Sequence, residues 1–143
     1  MKNGSPRRSR GASRPAQPDP LDLTFRAADL PLVRRRTASW ASRVGMPADA
    51  ADDFVIAVNE IATNAVRHGS PEATLRLWVE GRVGLAEICD QGYWPGASAA
   101  APVPRRGVEN GGMGLEVARL VCDGLQVTAG TSGTVVLLRM GLS

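Results

Sequence analysis

The chain has almost no lysine and almost no histidine. Lys2 is its only lysine and His68 its only histidine among 143 residues. Without a lysine beyond position 2, a P-loop lysine, the strand lysine of a protein-kinase fold and a Schiff-base lysine are all excluded from the folded part. One histidine and two well-separated cysteines, Cys89 and Cys122, leave no zinc site of ordinary spacing. Both cysteines sit inside apolar stretches, so they read as buried free thiols and exclude a disulfide framework. No apolar run approaches the roughly 20 residues needed to span a bilayer, so no membrane association is expected. The basic N-terminus continues into polar, proline-rich sequence over residues 11–20, which does not fit a secretory signal, and the expected localisation is cytoplasmic.

What is present is enough for one compact domain, and too little for two. The net charge of +3 is unevenly placed. Lys2, Arg7, Arg8, Arg10 and Arg14 against Asp19 give residues 1–20 a charge of +4, leaving −1 for the remainder. The first 20 residues have little to bury against the entropy of ordering and read as a disordered basic tail ahead of a domain over 21–143. A nearly neutral domain gives no reason to expect direct nucleic-acid binding.

Along the domain, residues 21–27 alternate apolar and polar as a half-buried strand does. A helix follows to about Val44, with Asp29 as its cap and Leu30, Val33, Thr37, Trp40, Ala41 and Val44 at helical spacing. Gly45 and Pro47 break it, and Asp49 is the expected cap of a second helix running to His68, with Phe54, Val58, Ile61 and Ala65 as its core stripe. Strands over 73–80 and 82–89 form a hairpin. Residues 90–112, rich in Gly, Pro and Ala, form a long loop of the kind that serves as a lid. A third helix over 113–121 and two strands, 125–128 and 134–140, close the chain. The order points to an α+β fold, a mixed and mainly antiparallel sheet covered by helices on one face.

The chemistry concentrates on the second helix. Glu60, Asn64 and His68 recur every four residues and share a polar stripe beside the core stripe. Such a stripe is ordinarily a solvated face, but these residues also suit phosphoryl transfer. Glu60 can accept the proton of an attacking hydroxyl, and the neutral amide oxygen of Asn64 suits magnesium while phosphates supply the charge. Asp90, at the end of a strand, is an acceptor-only group suited to an exocyclic amine such as that of adenine. Gly92, Gly111, Gly112 and Gly114 let backbone amides approach phosphates at a helix start.

The string NEIATNAVRHG at 59–69 resembles the N-box of the GHKL ATPases, and its E-x-x-x-N-A-x-x-H-G form is most similar to the anti-sigma-factor serine kinases. DQG at 90–92, GMGL at 112–115 and SGT at 132–134 resemble that superfamily's later boxes, in order. The resemblance implies a two-layer α/β sandwich of the Bergerat type, with ATP and Mg2+ as cofactors. It assigns Glu60 as catalytic base, Asn64 as magnesium ligand, Asp90 as adenine reader and Gly92 as its backbone support. Gly112, Met113, Gly114 and Leu115 would line the phosphates and Thr134 would help hold adenine; His68 matches the motif and, at a helix end, reads as a structural histidine. The implied function is a serine/threonine kinase that sequesters a sigma factor and phosphorylates a STAS-domain antagonist, and a homodimer is implied as well. Alternatives are an ATP-dependent binding module without kinase activity and a detached histidine-kinase catalytic domain. One departure is Trp94, which stands where the adenine box has its second glycine.

Overall fold

The computed structural model describes residues 19–69, 71–91, 112–130 and 133–142. Strand β1 (Leu21–Phe25) leads through a single 3-10 turn into helix α1 (Leu30–Arg43) and then α2 (Ala48–Asn64), which continues as a π-helical turn, Ala65–Gly69. The hairpin β2 (Ala73–Glu80) and β3 (Val83–Asp90), helix α3 (Gly112–Val121) and the hairpin β4 (Gly124–Gly130) and β5 (Gly133–Gly141) complete it. Of the tail expected over 1–20, residues 1–18 lie outside the described residues; of the lid expected over 90–112, Asp90 instead closes β3 and Gly112 opens α3, and residues 92–111, with Gly92 and Trp94, lie outside the described residues.

The five strands form one open sheet in the order β1-β2-β3-β5-β4, with every described pairing antiparallel. Its register aligns the apolar residues in rows across the strands. Leu23, Leu75, Ile88, Val136 and Val127 form one row, and Leu21, Leu77, Ala86, Leu138 and Leu125 the next. Alternation sends these rows to one face, where they meet Val33, Trp40 and Ala41 of α1, Phe54, Ala57, Val58 and Ile61 of α2, and Leu115 and Ala118 of α3 in a single core. The helices lie side by side on that face with α2 in the middle, α1 over β1 and α3 over β4. The α+β class with helices on one face is therefore as the sequence implies. Among the described residues, no helix is long and apolar enough to cross a membrane.

Two expected caps differ. Asp29 stands at the N-cap of α1, but its carboxylate accepts the Arg26 backbone N–H at 3.0 Å and gives no cap bond to the helix. The N-cap of α2 is Pro47, with Asp49 inside the first turn, where its charge favours the positive helix end. The second helix also does not run regularly to His68. Its last five residues widen into the π turn, just after Thr63 Oγ1 donates back to the Asn59 carbonyl at 2.7 Å, a bond that bends helices.

Two buried polar atoms, Thr37 Oγ1 and Trp40 Nε1, lack a partner among the described residues. Burying a hydroxyl unpaired costs about 1–3 kcal/mol. Thr37→Val is therefore expected to stabilise the fold by about 1 kcal/mol, read as a higher midpoint in urea with an unchanged slope.

Candidate functional site

Only four polar residues are buried among the described ones: Thr37, Asn64, Asp90 and Thr134. Three of them are site residues named from the sequence, and the fold gathers those three at one end of the molecule. Asp90 is the last residue of β3 and sits directly opposite Thr134 of β5, which in turn faces Ala129 of β4. This row continues the helix-facing rows by one step, so Asp90 and Thr134 point beneath the helices rather than to solvent, at 6% and 0% exposure.

Asn64, 3% exposed, is the last residue of α2 before the π turn. That turn packs on β2 and β3. Because β2 begins only a few residues later and its start pairs with the end of β3, Asn64 and Asp90 belong to the same end of the sandwich. The start of α3 comes there too. Asp53, near the start of α2, is close enough to act on the Cys122 thiol just past α3, so α3 runs antiparallel to α2 and its first residue lies toward Asn64. Gly112, Met113 and Gly114 form the first turn of α3, the positive end of a helix dipole, where backbone N–H groups have no partner within the helix itself.

Glu60, half-buried, lies one turn before Asn64 and forms no ion pair among the described residues. Asn64, Asp90 and Thr134 each have an interaction partner in this structure. Leu115 is 3% exposed and packs in the core, so any contact it gives a ligand comes from its backbone. Among the described residues, no group of three His, Cys, Asp or Glu side chains is placed to hold a metal. An ion at Asn64 would draw its other ligands from phosphates and water, which is how magnesium is commonly held beside a nucleotide.

Sequence reasoning passed over Gly133. It has φ of 137°, and a Cβ there would collide with the Asp90 carbonyl oxygen and stand 3.0 Å from Gln91 Cα. Its bare backbone lets β5 start flush against the end of β3, which seats Thr134 against Asp90. The signal was in SGT, since a glycine before a strand that starts beside another strand's end marks close backbone approach. Gly133→Ala is expected to lower stability by about 1–3 kcal/mol and to weaken any ligand held by Asp90, readable together as a lower melting point and a smaller ligand-induced shift.

A cavity of about 430 Å³ opens at the same sheet end, lined by residues including Thr74, Cys89, Gln91, Thr128 and Val135. Thr74, Cys89, Val135 and Thr128 form one cross-strand row on the helix-free face. The cavity is thus reached mainly from the side opposite Asn64 and meets the Asp90 site around the strand ends.

Cys89 and Cys122 are free but only partly buried. Burial raises the Cys89 thiol above its usual range, helped by Glu87 and Asp90, against a Thr74 hydrogen bond that works the other way. Burial, then Asp123 and Asp53, pushes Cys122 up to about 12. Its thiolate fraction at pH 8 is then about 10³-fold below that of an ordinary cysteine, and alkylation by iodoacetamide should be slower by that factor until the chain is unfolded. The unfolded chain loses this proton first, so the cysteine's contribution to stability is complete below about pH 9 and declines as pH rises toward 12.

Known structures share this fold. The chain is similar to the structure of the RsbU and RsbW domains of Rv1364c from Mycobacterium tuberculosis, at 22% identity and a TM-score of 0.68, over 87% of this chain and 33% of that one. It is similar in fold to the histidine kinase domain of the blue-light activated histidine kinase EL346 from Erythrobacter litoralis, at 20% identity and a TM-score of 0.51, over 80% of this chain and 60% of that one. It also resembles the Acinetobacter baumannii histidine kinase AdeS, at 10% identity and a TM-score of 0.51, over 86% and 68%. The chain spans about a third of the Rv1364c structure it matches. Residues 23–140, which include all five strands in whole or part and all three helices, match the histidine kinase-like ATPase domain, and the chain belongs to that family.

Proposed function

We propose that this chain is an ATP-dependent serine/threonine kinase of the anti-sigma type, which sequesters a sigma factor and phosphorylates a STAS-domain antagonist. The observation that carries the reading is the gathering of Asn64, Asp90 and Thr134, buried, at the end of the sheet where α3 begins. Each of the three has an interaction partner that offsets the cost of its burial, so the fold holds polar atoms in place at one end of an otherwise apolar core. Likeness in fold to a structure that includes an RsbW domain, and the N-box form around Glu60, support the anti-sigma branch.

In this reading Asp90 accepts the adenine amine, with Thr134 beside it and Gly92 as backbone support. Backbone amides of Gly112, Met113, Gly114 and Leu115 hold the phosphates at the positive end of α3. Asn64 holds Mg2+, which neutralises phosphate charge when bound. Glu60 takes the proton from the substrate hydroxyl as its oxygen bonds to the γ-phosphorus, the bond from the γ-phosphorus to the bridging oxygen breaks, and ADP leaves. The chain's work is to position and to hold one proton.

The test has two parts. A pull-down from native extract, with and without ATP, should retain a sigma factor in a nucleotide-dependent manner. Incubation with γ-labelled ATP, magnesium and candidate STAS proteins should label one of them on Ser or Thr. Nucleotide-dependent retention with no transfer to any candidate would place the chain among binding modules instead.

A further inference from the structure

Helix α2 changes its winding beside the site. Ala48–Asn64 is α-helical and Ala65–Gly69 is π-helical, so Asn64 is the last residue before the change. Irregular helix geometry has identifiable causes: proline, a Gly/Ser pair, or a side chain inserted into the backbone ladder. Residues 48–68 contain no proline, no glycine and no serine. The third cause is present. Thr63 Oγ1 donates to the Asn59 carbonyl, four residues back, at 2.7 Å. In a regular α-helix that carbonyl is the acceptor for the backbone N–H of position 63, so the hydroxyl competes with the ladder one residue before Asn64.

We infer that Thr63 is a positioning residue for the magnesium site: its back-bond opens the end of α2 into the π turn, and the π turn sets where the Asn64 amide stands. Thr63 meets neither metal nor nucleotide and acts through its neighbour. This role rests on the proposed role of Asn64 as magnesium ligand.

The packing around Asn64 shows how the turn can fix it. Bonding from i to i+5 takes about one residue more per turn than an α-helix, which rotates the residues after Asn64 away from a regular continuation. In that rotated setting Ala65 is fully buried, Val66 packs against the same core, and the turn contacts β2 and β3. Ala62 and Ala65 are both fully buried, and their small side chains let this end of the helix lie close to the sheet. Asn64 is thus held between a helix seated on the core and a turn seated on β3, the strand that ends in Asp90. Asn59, whose carbonyl Thr63 uses, is itself tied to α1, since its side-chain oxygen accepts from Arg34 at 3.4 Å.

Two substitutions and two titrations test the inference. Thr63→Val keeps the branched shape and removes the hydroxyl, whereas Thr63→Ser keeps the hydroxyl. Calorimetric titration with ATP and magnesium, repeated with EDTA in place of magnesium, separates the metal from the rest of the nucleotide. Wild type should bind ATP more tightly with magnesium. Thr63→Val should lose about tenfold in that affinity, the range for removing a residue that supports a metal ligand. Its affinity in EDTA and its melting point should stay at the wild-type values, because a back-bond of this kind adds nothing to helix stability. Thr63→Ser should bind as wild type does. In the ligand-free chain, hydrogen exchange over Ala65–Gly69 should be faster in Thr63→Val and unchanged in Thr63→Ser. A wild type that gains nothing from magnesium removes the metal reading of Asn64 and the role of Thr63 with it. The role of Thr63 alone is overturned by a full magnesium gain in Thr63→Val, by unchanged exchange over Ala65–Gly69 in that variant, or by the same loss in Thr63→Ser. A lower melting point with equal loss of affinity in both titrations also overturns it, since Thr63 would then be merely structural.

Discussion

Glu60→Ala is expected to reduce phosphoryl transfer by about 10²-fold or more while ATP binding remains in place. The side chain is half-buried one helical turn before Asn64 and, among the described residues, is not neutralised by any ion pair. Its carboxylate is therefore available to take a proton beside the place where a metal-bound phosphate would sit. It is not one of the four buried polar residues, so truncating it leaves the core intact. Glu60→Gln sharpens the test, because it keeps the shape and removes the basicity. Single-turnover transfer from labelled ATP, alongside calorimetric titration of ATP, separates chemistry from binding. Transfer at the wild-type rate in either variant would remove Glu60 from the role of base.

Asp90→Asn is expected to weaken ATP binding by about 10- to 100-fold, the range for losing a hydrogen bond to a charged group. The preference for adenine over guanine should largely go with it. Asp90 is 6% exposed and sits opposite Thr134 at the end of β3, where its carboxylate is shielded from solvent. An ionised carboxylate welcomes the adenine amine and repels the guanine carbonyl, whereas an amide presents a donor or an acceptor according to how it is turned. The substitution is nearly isosteric, so the melting point of the ligand-free chain should move far less than the affinity. An unchanged ATP affinity in Asp90→Asn would mean that adenine is not read at this position.

Much of the fold was legible because periodicity depends on a physical alternation that sequence preserves. The stripe Phe54, Val58, Ile61 and Ala65 could be buried only on one side of a helix, and all four are fully buried. The helix caps were less legible, since Asp29 and Asp49 are good capping residues by type, but which backbone N–H each meets depends on the path of the preceding turn. The π turn after Asn64 has no composition of its own and was missed.

The candidate site was legible residue by residue but not as a place. Asn64 and Asp90 could be named from motifs, yet their common end of the molecule follows from the β2–β3 hairpin register. The opposition of Asp90 and Thr134 follows from β5 inserting between β3 and β4. Such non-local pairing is set by the rows of apolar residues as a whole, so no single segment announces it. Gly133 shows the same limit. Its role is defined by the Asp90 carbonyl it must clear, a group that is remote in sequence.

Calorimetric titration of the wild-type chain with ATP and with GTP, each with magnesium, tests the nucleotide site most directly. Saturable ATP binding, with GTP weaker by at least about tenfold, is the result expected from a buried carboxylate acceptor at Asp90. Equal affinity for the two nucleotides, or no binding of ATP by the folded chain, would contradict the assignment of this sheet end as an adenine site.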